Sequence, residues 1–478
     1  MKNLIIVGSG NASLVSALIL NTKFPKLKIK IISSKNIGTI GVGESTNEHW
    51  AEFVNFTELN VKEMIKETDA TFKYGLVFEN WTKHKFFHNT IDTIKNCKWG
   101  QYQGGWGYIV IHNFLPVQYT ASQTFDFCIS RESLPRQIQF NSIKMNKYLT
   151  KICKKRKIKF VEDEIKKVNV KNNKIVSVKG KNKLYKSDFF IDATGYKKLL
   201  ISQLGAKWNS YNDCLKLNEA IAFETGDTEK YPPCTISKAM NNGWMWRIPT
   251  QGRWGNGYVF DNTYINAQQA KEECEKVLGI KIKVNKNIKF DPGSLDRPWI
   301  GNCLAVGLSA SFVEPIESSS IGSTVSQVFL AMHYMTHCNK EDIDFYNNKY
   351  QKIMENIRDF VVLHYLVDKK ESKFWKELKG RIKIPETLSI NLKKWKNRIP
   401  IQEDFAGGYL LFNVSNFTLI LKELGFFDRK KIREEFENCL SREAQISVSK
   451  TIAENYKFWK SDLTKMDQKQ FLKMIDKF

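Results

Sequence analysis

The chain has 478 residues, of which 42% are hydrophobic and 13% aromatic, so it can build a sizeable core and is not intrinsically disordered. Its nine cysteines are odd in number and form no Cys-x-x-Cys pair, which argues against a disulfide framework or a zinc site. We therefore expect no metal and a reducing, cytoplasmic location. The net charge of +24 is spread along the chain, so we expect no dedicated nucleic-acid site, although a basic nucleotide-fold protein that binds nucleic acid stays a rival interpretation.

The N-terminal segment predicts the first unit of a doubly wound α/β sheet. An apolar strand at 4–7 leads into glycines, a helical pattern follows at 12–20, and a second strand lies at 28–32. The first apolar run is too short for a secretion signal, and no later stretch reaches the ~20 apolar residues of a membrane span. We expect no membrane partner.

The rest of the chain predicts an insertion rich in strands and then a helical C-terminal part. We predict a domain at 1–340 that binds a dinucleotide and a helical, substrate-side subdomain at 341–478. The elements expected on the way are a helix end and strand start at 151–159, a β-meander at 158–186, buried strands at 188–192 and 303–306, and helices at 262–278 and 323–334.

A glycine turn after the first strand predicts a phosphate site. Gly8 and Gly10 let a backbone approach a dinucleotide closely, and the helix start at Asn11 and Ala12 then faces the anion. Ser13 stands where the GxGxxG pattern has its third glycine, so a structural turn without a ligand stays open. The second strand ends in Ser33 instead of the acidic residue that usually accepts from ribose hydroxyls.

Two further segments favour FAD over NAD. The strand that ends in "DFFIDATGY" delivers Asp192, Thr194 and Gly195, and it resembles the second cofactor-contacting strand of FAD-binding monooxygenases. The stretch "IGVGEST" adds Gly43, Glu44 and Ser45 to the expected cofactor contacts. This resemblance implies an FAD-binding Rossmann-like fold of the flavin monooxygenase type.

The segment "GWMWRIP" at 243–249 resembles the GWxWxIP signature of flavin-dependent halogenases of the tryptophan-halogenase family. The resemblance implies that Trp244 and Trp246 form a barrier that separates the organic substrate from the oxidant formed at the flavin, while a halide can enter. Two tryptophans at i and i+2 are also what one buried face of a strand provides. A flavin hydroxylase, which needs no such barrier, is the alternative function.

The segment "TFKYGLVFENW" at 71–81 resembles the same family's stretch around its catalytic lysine and places that role on Lys73. A buried amine can hydrogen-bond hypohalous acid or be halogenated itself, because burial lowers an ammonium pKa. The alternative is a strand lysine with a solvated head.

The segment "GLSASFVEPIESSS" at 307–320 resembles the family's cofactor and anion loop. It implies a cofactor contact at Gly307, catalytic roles for Glu317 and Ser318, and a halide site at Ser319 and Ser320, where the family commonly has glycine at the second position. Acids before a helix can instead complement the helix dipole.

Four residues in the C-terminal part, His364-Tyr365 and Phe374-Trp375, resemble the family's HY and FW pairs, for which we expect a structural role. The chain is shorter than typical tryptophan halogenases in this part, so free tryptophan is not assumed. The resemblance implies reduced FAD and a halide as cofactors, a separate flavin reductase, and an electron-rich aromatic substrate; it leaves the oligomeric state open.

Overall fold

The computed structural model describes residues 1–34, 44–89, 137–460 and 467–475, and within them strands dominate up to residue 312 and helices thereafter. The strands are β1 (Asn3–Val7), β2 (Lys28–Ser33), β3 (Glu44–Ser45), β4 (Thr71–Phe72), β5 (Gly75–Glu79), β6 (Phe86–Asn89), β7 (Ile138–Phe140), β8 (Lys159–Glu162), β9 (Ile165–Lys171), β10 (Lys174–Gly180), β11 (Leu184–Tyr185), β12 (Phe189–Asp192), β13 (Trp208–Ser210), β14 (Glu219–Gly226), β15 (Thr235–Met240), β16 (Gly243–Thr250), β17 (Arg253–Phe260), β18 (Val284–Lys289), β19 (Gly293–Leu295), β20 (Trp299–Ile300), β21 (Cys303–Ala305) and β22 (Ser311–Phe312).

Helices connect these strands and then form the C-terminal part. The α-helices are α1 (Asn11–Lys23), α2 (Glu48–Phe56), α3 (Val61–Glu67), α4 (Ser142–Lys155), α5 (Ala267–Leu278), α6 (Ser319–Tyr334), α7 (Lys340–His364), α8 (Lys373–Arg381), α9 (Glu386–Trp395), α10 (Val414–Glu423), α11 (Arg429–Cys439), α12 (Arg442–Lys460) and α13 (Gln468–Lys473). Short 3-10 turns lie at Gly195–Lys197, Ile201–Leu204, Gly307–Ser309, Ile316–Ser318 and Gln402–Asp404.

A six-stranded sheet in the order β20-β21-β12-β1-β2-β8 forms the nucleotide-type layer. Strand β1 pairs in parallel with β2 and β12, β12 pairs in parallel with β21, and β2 pairs in parallel with β8. The carboxyl ends of these parallel strands therefore meet at one edge, which is where open α/β sheets bind ligands. This confirms the predicted Rossmann-like α/β fold.

A seven-stranded sheet in the order β18-β14-β17-β16-β15-β5-β6 forms the second layer. Its pairs are antiparallel except for β15 with β5, so β5 and β6 share one sheet with the later strands β14 to β18. The strand with the paired tryptophans, β16, lies between β15 and β17. Pairing with these two neighbours fixes the face of the sheet on which the tryptophan side chains of β16 lie.

Three predicted elements differ in extent. The first strand of the expected meander, β8, joins the parallel sheet beside β2, because a strand that follows a helix crossover returns to the sheet edge; only β9, β10 and β11 form the meander. Helix α5 begins at Ala267 because the Asn266 side chain accepts from the Gln269 amide and caps it. Helix α6 begins about one turn earlier than predicted, at Ser319.

The helical C-terminal part packs onto the same core as the sheets. One buried hydrophobic cluster contains residues of α1, β4 and β5 together with residues of α7, α10 and α13. The last helix reaches β4 directly, since the Phe72 amide donates to Gln468 Oε1 at 2.5 Å. A division into units at residue 340 therefore stays a prediction. Among the helices of the described ranges, none is both long and apolar enough to cross a bilayer.

Candidate active site

The turn after β1 requires glycine at residue 8. Gly8 has φ +110°, and a Cβ built there would lie 2.2 Å from the Ala193 carbonyl oxygen of the turn after β12. At Gly10 the same test finds open space, with nothing within 4 Å of the added atom. Gly8 therefore lets the ends of β1 and β12 approach each other. Gly10 leaves open space beside the start of α1, where the phosphates of a dinucleotide could lie.

Three side chains complete this turn. Ser13, at the position of the missing third glycine, is buried, and its hydroxyl donates to the Gly8 carbonyl at 2.8 Å. Asn11 turns toward α4, where it accepts from Asn146 Nδ2 at 3.2 Å, so its backbone amide and not its side chain is left for an anion. Ala12 lies against Gly307, where an added Cβ would stand 2.6 Å from the Ala12 methyl.

The other strand ends bring Ser33, Asp192, Gly195 and Gly307 to the same edge, as the parallel register requires. Asp192 is fully buried, and its carboxylate accepts five hydrogen bonds, from Thr194 N, Thr194 Oγ1, Ser309 Oγ, Leu200 N and Ile201 N. This arrangement gives the Asp192 carboxylate a supporting role beneath the loop, and its expected contact with the cofactor stays a prediction. Gly195 has φ +68° and open space at its Cβ position.

Three helix starts near this edge lack side-chain caps. Eight helices in the described ranges are capped by an Asn, Asp or Ser side chain. Helices α1, α2 and α6 are not, and they pack against one another. Their unsatisfied amides and positive dipole ends suit anions such as a pyrophosphate or a halide.

Lys73 lies between β4 and β5 and is completely buried. Its Nζ donates to the Thr46 carbonyl at 2.6 Å and to Ser318 Oγ at 2.8 Å. Burial lowers the pKa of Lys73 to about 7, although the nearby Glu317 carboxylate opposes that shift. The amine is thus available in part as a neutral nucleophile at neutral pH, and it is not the solvated strand lysine of the alternative interpretation.

The "EST" segment positions this lysine through its backbone. Thr46 supplies the carbonyl that Lys73 contacts, and its hydroxyl donates to the Ile138 carbonyl at 2.9 Å. Ser45 is buried and hydrogen-bonded to Thr235 Oγ1 at 2.9 Å, so its hydroxyl is occupied within the protein. The backbone of Glu44 pairs with β7, whereas Gly43 lies outside the described residues.

The turn before α6 has two consecutive left-handed residues. Glu317 has φ 61° and Ser318 has φ 57°, a conformation that costs L-residues roughly 1–2 kcal/mol each. The Ser319 hydroxyl donates to the Glu314 carbonyl at 2.8 Å and braces the turn. Ser320 is exposed toward solvent. Of the two serines expected to hold the halide, Ser320 thus has the more accessible hydroxyl.

Two histidines hold the Glu317 carboxylate. Glu317 Oε1 lies 2.7 Å from His88 Nδ1 and 3.1 Å from His364 Nε2, and all three side chains are buried. Burial alone would raise the pKa of Glu317, but its electrostatic contacts and hydrogen bonds with His88 and His364 outweigh that effect and lower this pKa to about 2. Glu317 is therefore a carboxylate at any physiological pH.

A second buried glutamate three positions earlier is in the opposite state. Glu314 Oε1 accepts from the Tyr365 hydroxyl at 2.6 Å, and burial raises the pKa of Glu314 to about 8. Two nearby carboxyl groups with pKa values pushed apart are typical of sites that need an acid and a base at one pH. Here Glu317 is the base and Glu314 is neutral.

The two tryptophans of β16 lie on the same face of the strand. Trp244 is 1% exposed and Trp246 is partly exposed, with ring centroids 6.1 Å apart. Gly257 of β17 pairs with Trp246, and a Cβ there would lie 2.1 Å from the indole ring. Trp244 and Trp246 thus form one aromatic wall on this face of the sheet. Trp244 is its buried part and Trp246 its accessible part.

The sequence analysis missed the partners of Glu317. His364 was assigned a structural role as part of the HY pair, and His88 and Asn416 were not singled out. Asn416 of α10 donates through Nδ2 to His88 Nε2 at 3.1 Å. A histidine in the apolar run "FFHN" was the available signal for His88, whereas nothing in the sequence links Asn416 to it, since 328 positions separate them.

Comparison with known proteins connects this geometry to a family. The model of the family described as "Tryptophan halogenase" matches residues 3–434. The tryptophan 6-halogenase SttH of Streptomyces toxytricini is 27% identical over 447 residues, which cover 84% of this chain and 85% of the relative. The tryptophan 7-halogenase RebH of Lentzea aerocolonigenes is 25% identical over 478 residues, covering 89% and 90%.

A solved structure shows the same fold. The tryptophan halogenase from Shewanella frigidimarina NCIMB 400 superimposes with a TM-score of 0.84 at 22% identity and covers 100% of this chain and 98% of that one. The open space at Gly10 and the uncapped start of α1 fit the pyrophosphate of FAD. Since the family model spans most of the sequence, the chain belongs to the tryptophan halogenase family and is a flavin-dependent halogenase that uses reduced FAD and a halide on an aromatic substrate.

Proposed function

We propose that this halogenase places its halogen on an indole-type ring and that Lys73 handles the halogenating species. The observation that carries this proposal is the buried Lys73 amine, which is held by Thr46 and Ser318 next to the Glu317 carboxylate. A partly neutral amine in a dry site can hydrogen-bond hypohalous acid or accept its halogen. A lysine with a structural role alone does not need a partly neutral amine.

Reduced FAD, when bound, would supply two of the four electrons that oxygen takes up, and the halide would supply the other two as it becomes hypohalous acid. The uncapped start of α6 and the exposed Ser320 would hold the halide. Gly8, Gly10, Gly195 and Gly307 supply the backbone edge for the dinucleotide. Trp246, backed by Trp244, keeps the aromatic substrate on the Lys73 side.

Glu317 acts on the ring in this proposal. The ring carbon attacks the halogen, a carbon–halogen bond forms, and hydroxide leaves to become water once protonated. The negative carboxylate then stabilises the cationic ring and accepts the proton from the same carbon, so that the ring recovers its aromatic electrons. The net change is one ring hydrogen replaced by halogen with release of water.

The choice of an indole rests on the relatives, which are described as tryptophan 6- and 7-halogenases. A further solved structure is described as a lanthipeptide tryptophan 5-halogenase, so the indole of a peptide is a second form to test beside the free amino acid. We propose that a separate flavin reductase delivers the reduced cofactor. NADH alone should then give no product, and NADH with a reductase should restore it.

The test combines the full-length protein with FAD, a flavin reductase, and chloride, bromide or iodide. Indole, L-tryptophan and a tryptophan-containing peptide are offered in turn, and products are read by mass spectrometry. We expect a halide-dependent halogenated product with at least one of them. A hydroxylated product that forms without halide would establish a hydroxylase instead.

Two variants test the roles. Lys73→Ala should bind FAD normally and lose roughly 100-fold or more of the halogenated product, and Glu317→Gln should slow turnover by roughly 100-fold. The matched control is Lys238→Ala on β15, a partly exposed lysine that contacts Glu79 at the protein surface. Parent-level halogenation by Lys73→Ala would refute the role of this amine.

A further inference from the structure

The ring of His364, at the end of α7, faces two acceptors. Its Nδ1 lies 2.8 Å from the Phe360 carbonyl oxygen, and its Nε2 lies 3.1 Å from Glu317 Oε1. A carbonyl oxygen has no proton to give, so Nδ1 must carry the hydrogen of that contact. A neutral imidazole has a single N–H, which would leave the bare Nε2 lone pair against a carboxylate in a site that is 1% exposed.

The second histidine cannot resolve this conflict. Asn416 Oδ1 accepts from the Asn413 amide at 2.8 Å, which fixes the orientation of its carboxamide and points Nδ2 at His88 Nε2. His88 therefore accepts at Nε2 and donates from Nδ1 to Glu317 Oε1. One more proton is needed between Glu317 and His364.

That proton belongs on the ring. Glu317 Oε1 already accepts from His88 at 2.7 Å, and a carboxylate is ordinarily a weaker base than an imidazole. The other titratable groups facing the cluster are Lys73, with a pKa lowered by burial to about 7, and Glu314 with Tyr365, whose pKa values burial raises. None of them adds a fixed negative charge at neutral pH.

Aromatic rings surround His364 on the remaining sides. Phe78 lies 5.2 Å away, Phe360 4.9 Å and Trp81 6.3 Å, measured between ring centroids. The π faces of such rings attract a cation, most strongly when water is excluded. The rings of Phe78 and Phe360, which lie within cation–π range, thus offset part of the cost of burying a charged ring.

We propose that His364 is a positioning residue for the halogenation, held as an imidazolium whose Nε2–H fixes the Glu317 carboxylate and keeps it anionic. The inference rests on the proposed role of Glu317 as the base. Its chemical consequence is that Glu317 can take the ring proton while His364 keeps its own, and that the negative charge beside Lys73 is already balanced.

The direct test is NMR of the full-length protein labelled with 15N-histidine, without flavin or substrate. The His364 signals, assigned by their loss in His364→Gln, should show two protonated ring nitrogens at pH 7. A His364 ring with one bare nitrogen at pH 7 would overturn the proposal. Since no turnover is measured, this result is independent of whether halogenation depends on Glu317.

Kinetics provide the second test. Glutamine can donate an N–H to Glu317 but carries no charge. His364→Gln should therefore reduce kcat roughly 10- to 100-fold and move the acidic limb of the kcat profile to higher pH. FAD affinity and the KM for halide should stay within about twofold of the parent values. The control is His333→Gln, an exposed histidine of α6 that contacts Tyr409. A parallel drop in kcat with an unchanged pH profile would make His364 merely structural.

Discussion

Replacing Lys73 with methionine should make the protein more stable at neutral pH although it removes the proposed catalytic amine. The two side chains have similar length, so packing is kept. In the folded protein the pKa of Lys73 is about 7, against 10.5 for an ordinary lysine. That difference corresponds to about 5 kcal/mol of folding free energy, at 1.36 kcal/mol per pH unit.

The sign follows from proton binding. Between pH 7 and about 10.5 the unfolded chain holds a proton on this lysine and the folded protein does not, so the stability of the parent rises with pH across that window and is lowest near pH 7. Methionine removes this penalty but leaves Thr46 O and Ser318 Oγ without their donor, a loss of about 3 kcal/mol together. The net gain for Lys73→Met at pH 7 is then about 2 kcal/mol.

Urea unfolding of parent and variant without flavin, at pH 7 and at pH 9.5 to 10, measures this. We expect Lys73→Met to be the more stable at pH 7 and the less stable near pH 10, so that the difference in free energy of unfolding changes sign. The other lysines are the same in both proteins, so their contributions to the pH dependence of stability cancel. The same difference at both pH values would refute the reasoning, because it would mean that the Lys73 amine keeps an ordinary pKa in the folded protein.

Three further predictions concern the flavin edge and the wall. Gly8→Ala should destabilise the protein even without FAD, because its Cβ would meet a carbonyl oxygen at 2.2 Å, whereas Gly10→Ala should unfold like the parent in urea and yet weaken FAD binding in a fluorescence titration. Asp192→Asn should lower stability by roughly 2–4 kcal/mol in urea, because a carboxylate with five donors loses charge and acceptor capacity; an unchanged midpoint would refute its supporting role. Trp244→Ala should cost roughly 3–5 kcal/mol as a core truncation, whereas Trp246→Ala should cost less and mainly increase oxygen use per halogenated product.

The sequence was informative wherever backbone chemistry restricts the residue type. Gly8, Gly10 and Gly307 follow strand ends, and their spacing predicted the α/β edge that the parallel register produces. The family resemblance likewise singled out Lys73 and Glu317, which the fold brings into one buried site from distant segments.

Several hydrogen-bond partners of the expected site residues depend on tertiary contacts. The amides of the loop that folds over Asp192 donate to its carboxylate, and its expected cofactor contact stays a prediction. The hydroxyls of Ser45 and Ser319 are similarly engaged within the protein. No local pattern reveals whether a polar side chain at a strand end faces a ligand or its own loop.

By itself, the sequence determined the class of sheet, the glycine turn and the residue types that flavin-dependent halogenation requires, because these depend on local conformation and on motifs within a few residues. Only the tertiary structure decided the protonation states of the site. Those states depend on burial and on partners from distant elements: His88 from β6, His364 from α7 and Asn416 from α10. Charge in a protein interior is set by what surrounds a group in space, and the order of residues along the chain does not specify those surroundings.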